Sequence, residues 1–80
     1  MSARMLEEAY SLAQAVRLSC GPTPELEEAI RLIEEAMEGR SVGLEEAALL
    51  LRAAADAARL NGCLDWYMLE QAADTLEHMS

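Results

Sequence analysis

Cys20 and Cys63 are the only thiols in this 80-residue sequence, and His78 is its only imidazole. A cysteine nucleophile needs a base within hydrogen-bond reach. Cys63 and His78 fall in one helical stretch, fifteen positions apart, which is about 22 Å along a helix. Cys20 belongs to the end of another stretch, at the pole away from His78. Asp74 lies one turn before His78 and can orient it. Only Ser2, a loose candidate near the same end, is available to complete a triad. The expectation is therefore a chain without catalysis. Two cysteines also fall short of the four ligands of a structural zinc site, and no metal centre or cofactor is expected. For Cys20 and Cys63 themselves two states stay open, a disulfide across one end of the fold or two independent thiols.

Two rows of polar side chains offer a second kind of chemistry. Tyr10, Gln14 and Arg17 recur at 4-3 spacing on one side of the first helical stretch. Tyr67, Gln71, Asp74 and His78 recur at 4-3-4 spacing on the last. If the two sides face each other they line a polar seam, which is either a wet boundary between helices or a candidate ligand groove of Tyr10, Gln14, Arg17, Gln71, Asp74 and His78. A third group is apolar. Leu18, Leu49, Trp66 and Tyr67 fall outside the inward stripes of their helices. Trp and Tyr are enriched where interfaces bind most tightly, so these four are the candidate interface; the alternative is that Trp66 and Tyr67 fold over the bundle end and cap its core.

The elements that position these residues are helices. Ser2 is placed to cap helix one, which is predicted over 3–19. Thr23 caps helix two, with Pro24 at its first position and an end near Glu38. Helix three is predicted over 44–60 and helix four over 64–79, with Gly or Pro in every break. Leu26, Ala29, Ile30, Ile33, Ala36 and Met37 form one apolar stripe at helical spacing, with Leu32 beside it. Glu27–Arg31 and Arg31–Glu35 are expected as pairs one turn apart. Helix three is apolar around most of its circumference, as a central helix is. The tetrapeptide LEEA opens at Leu6, Leu26 and Leu44, with LEQA at Leu69. Its unequal spacing rules out a stacked repeat. Short connections between helices of similar length make neighbours antiparallel. The expectation is one all-α domain over 1–80, an up-down-up-down four-helix bundle.

The net charge is −9, and every basic residue is an arginine. Such a chain lacks the clustered cations that neutralise phosphates, so direct nucleic-acid binding is disfavoured. A Schiff-base lysine is impossible. No apolar run is long enough to span a bilayer, and no targeting signal is read at the start of the sequence. The expected setting is a soluble chain, cytoplasmic or made recombinantly.

The segments TPELEEAIRLIEEAMEG and GLEEAALLLRAAADAARLNG resemble those of computationally designed helical-bundle proteins. They share the Thr-Pro-Glu start, the glutamate-rich first turn, the Ala/Leu interior and the Gly stop. The resemblance covers helices two and three, and it implies a scaffold, a binder or a small engineered site. Two classes of function follow. One is a non-catalytic interaction module that binds a protein partner or a second copy through a surface patch. Its natural counterpart is a small acidic inhibitor or chaperone, such as an antitoxin or an anti-CRISPR that mimics nucleic acid. The other is a bundle holding a ligand or metal between helices one and four.

Overall fold

The computed structural model describes residues 3–79, so the expected roles of Ser2 lie outside the described residues. Four α-helices make up the chain: α1 (Ala3–Cys20), α2 (Pro24–Met37), α3 (Leu44–Leu60) and α4 (Tyr67–Met79). α4 is preceded by a single 3-10 turn, Leu64–Trp66. Among the described residues there is no strand. Each helix packs on its neighbour in the chain, and α4 closes the ring on α1. This is an all-α, up-down-up-down four-helix bundle, 35 Å long and 18 by 18 Å across.

Local chemistry sets the breaks. The hydroxyl of Thr23 accepts from the backbone N–H of Leu26 at 3.2 Å, and Pro24 takes the first helical position, where no N–H is needed. α2 and α3 end in the same way. Gly39 donates to the carbonyl of Ala36, and Arg40 to that of Glu35. Gly62 donates to Arg59, and Cys63 to Ala58. These paired bonds need a left-handed residue after each helix, and Gly39 and Gly62 supply it with φ of +89° and +80°.

The expected ends shift by small amounts. α1 runs one residue further, to Cys20, and α2 stops one residue earlier, at Met37. The larger correction concerns helix four, whose first three residues form the 3-10 turn. Such tightening is common at helix starts. Here Cys63 is held from both sides, by its bond to Ala58 and by a covalent link to α1.

The core is aliphatic. Val16, Leu26, Ile33, Leu51, Leu69 and Leu76 are fully buried, with alanines of all four helices between them. Removing one such leucine costs about 2–5 kcal/mol. Met37, expected on the inward stripe of α2, is instead an exposed residue at the helix end, whereas Leu32 is buried. No charged or polar side chain among the described residues is buried.

Candidate functional site

Cys20 is the last residue of α1, and Cys63 follows the Gly62 turn that closes α3. Antiparallel packing brings these ends to one pole. Their Cα atoms are 5.7 Å apart and the two residues form a disulfide, within the usual span of such bridges. The bond ties α1 to the start of α4 and encloses α2 and α3 in a covalent loop.

The same pole is apolar at its surface. Leu18 is 82%, Leu60 81%, Leu64 86% and Tyr67 49% exposed. Between the helix ends lies an open cleft of about 410 Å³. Val16, Leu26, Ala58 and Leu69 line its apolar part; the disulfide and Leu64 also border it. Trp66, expected among the outward groups, is half-buried against the core. The reason is its place in the 3-10 turn, which breaks the helical register assumed for it. The guanidinium of Arg59 lies 5.7 Å from its ring centroid, a cation–π distance. Leu49 is 66% exposed, midway along α3 and away from the pole.

The structure does not bring the two polar rows together. The α1 row turns to α2: the hydroxyl of Tyr10 donates to Glu34 at 3.0 Å, Gln14 donates to that hydroxyl at 2.8 Å, and Arg17 donates to Glu27 at 2.6 Å. The α4 row turns to α3 or to solvent. Asp74 accepts from Arg52 at 2.7 Å, Gln71 is exposed, and Tyr67 sits at the pole. His78 meets the backbone carbonyl of Asp74 at 2.9 Å, while the Asp74 carboxylate is engaged by Arg52. Periodicity identifies the side of a helix but not which of two neighbours it faces. α1 and α4 pack directly, and Ala9, Ala13, Ala72 and Ala73 on these helices are buried.

Arginines organise the remaining surface. Arg52 bridges α3 to Glu70, Asp74 and Glu77 of α4. The hydrogen bonds that it donates, first to Glu77 and then to Asp74, raise its guanidinium further above its ordinary range. On α2, Arg31 pairs with Glu28 and with Glu35. The expected Glu27–Arg31 pair is replaced, because Glu27 is taken by Arg17. Those arginine hydrogen bonds hold Glu27 and Glu28 below the usual carboxylate range.

Among the described residues, no three His, Cys, Asp or Glu side chains converge to hold a metal. Among the described residues, no helix is long and apolar enough to cross a membrane. Sequence reasoning missed Leu60 and Leu64. The available signal was the string Leu60-Asn61-Gly62-Cys63-Leu64, in which leucines flank a Gly stop where polar residues are the norm. No protein-family model, no curated protein and no solved structure matches this chain.

Proposed function

We propose that this chain is a non-catalytic interaction module that binds protein through its disulfide pole. The observation that supports it is the exposure of Leu18, Leu60, Leu64 and Tyr67 at the end of the bundle that holds the cleft, which Leu64 borders. Single exposed leucines are ordinary, but large apolar groups gathered at one end mark contact surfaces. The likeness of α2 and α3 to designed bundles is compatible with such a scaffold. The start of α1 and the end of α4 both lie at the opposite pole, so a terminal tag leaves this surface free. The test attaches the chain through such a tag and compares capture by the parent with capture by Leu18→Glu/Leu60→Glu and by Leu49→Glu. Capture lost in the pole variant and kept in Leu49→Glu is the expected result. Equal capture by all three overturns the assignment to the pole.

A further inference from the structure

The Cys20–Cys63 bridge ends in a stretch that little else fixes. No side chain in residues 59–68 is fully buried. The turn Leu64–Trp66 nevertheless packs on α1, α3 and α4. Leu64 itself is exposed and adds nothing to that packing. The stretch is held by half-buried Trp66 and Met68 against the core, by the backbone bonds from Gly62 to Arg59 and from Cys63 to Ala58, and by the bridge. The guanidinium of Arg59, which also pairs with Asp56 at 3.5 Å, lies against Trp66. Of these ties only the bridge is covalent, and it alone is opened by a specific reagent.

The bridge is also within reach of one. Neither cysteine is buried, and both border the open cleft. Val16, Leu26 and Leu69 line the same cleft and are closed to water. Movement of the stretch would therefore wet one end of the core. The rest of the bundle does not depend on it. Leu6, Ile33, Leu51 and Leu76 are buried where the helices pack on one another, and none of them lines the cleft. Segments with few buried apolar groups are the ones that open without global unfolding.

We propose that the bridge is a redox latch on residues 61–66: oxidised, it holds the 3-10 turn against the end of the core; reduced, it releases the turn while the four helices stay packed. The reductant is a dithiol. One of its thiolates attacks a sulfur of the bridge and forms a mixed disulfide. Its second thiol displaces the protein sulfur. Two electrons and two protons pass to Cys20 and Cys63, and the reductant leaves as its own disulfide. The latch stands on the bridge and the turn alone, apart from the interaction-module reading.

The test uses the full chain, oxidised and after reduction with dithiothreitol, below the melting range of the reduced form. Trp66 is the chain's only tryptophan, so its emission reports the turn. The expected result on reduction is a shift of that emission to longer wavelength. The amides of Gly62 and Cys63 lose their protection from hydrogen exchange by NMR, while the middles of the four helices stay protected and far-ultraviolet circular dichroism is unchanged. Reoxidation restores the starting spectrum. Cys20→Ser/Cys63→Ser has the emission of the reduced parent and ignores the reductant. Emission and protection that are the same in both forms overturn the proposal, because the turn is then held without the bridge. Loss of protection throughout the four helices also overturns it, because the bridge is then a staple of the whole fold. So does a shift in the double variant on adding dithiothreitol.

Discussion

The two poles of the bundle are built from the same helix-ending chemistry and finished differently. At one, Gly39 turns α2 into a loop with Arg40 and Ser41 exposed, and the chain is held by packing and hydrogen bonds alone. At the other, Gly62 makes the same turn, but the next residue is Cys63 and it is bonded to Cys20. The loop pole carries Glu38 and Arg40 as an ion pair and exposes one large apolar side chain, Met37. The disulfide pole spends a covalent bond to hold helix ends around a cleft and leaves leucines in water. The contrast teaches that this end is the one built to be rigid and apolar at once. Rigidity before contact lowers the entropy that a contact must overcome.

The largest expected effect comes from cutting the tie. Bridging residues separated by 43 positions restricts the unfolded chain by about 4 kcal/mol at most in the loop-entropy treatment. Cys20→Ser/Cys63→Ser, or reductant, should lower Tm by tens of degrees at that limit. Calorimetry with and without reductant measures it. A Tm indifferent to reductant would mean that the poles do not differ in how they are held.

A smaller effect sharpens the comparison between the two turns. An alanine at Gly39 or Gly62 meets no neighbouring atom, so the cost is conformational. It is about 1–2 kcal/mol for a left-handed residue. Thermal melts should show similar losses for Gly39→Ala and Gly62→Ala. Only Gly62→Ala should also shift the thiol–disulfide balance toward free thiols at a fixed glutathione ratio, because that turn presents Cys63. Equal thiol titres in the two variants would separate the turn from the bridge.

The smallest effect concerns pH on the α1–α2 side between the poles. Glu27 and Glu28 are held below their ordinary range by hydrogen bonds from Arg17 and Arg31. Their pairs therefore stabilise the fold in full above the ordinary glutamate value. That contribution is lost as pH falls below 4.5 through the lowered values. Exposed pairs contribute little, so the difference in Tm between the parent and Glu27→Gln should be small at pH 7 and shrink as the pH is taken below 4.5. A difference that grows on acidification would contradict the pairing.

The helices and their stops were legible in the sequence because each signal is local. Thr23-Pro24, Gly39 and Gly62 act on their own backbone, and the stripe of Leu26, Ala29, Ile30 and Ile33 needs only the helical period. The α1–α4 groove was misread because it required knowing which neighbour a polar row faces. That choice is made by the whole set of buried alanines. Trp66 packs against the core from a 3-10 turn, and helical periodicity carries no sign of such a turn. Cys20 and Cys63 were placed at one end by topology alone. Leu60 and Leu64 went unnoticed because their exposure follows from where the chain reverses, not from their spacing.

The bridge has a further consequence for a chain that is cut. Everything from Cys20 to Cys63 lies within the covalent loop, including the exposed Gly39–Ser41 stretch at the far pole. Exposed loop tips are where proteases act first. A single cleavage there yields two fragments that remain one molecule, each keeping one helical hairpin and one end of the disulfide. Under oxidising conditions such a nicked protein migrates as a single species, and its two halves refold as neighbours and not as strangers. A cut at the pole that lacks a bond thus leaves one covalently joined molecule, because of the bond at the other.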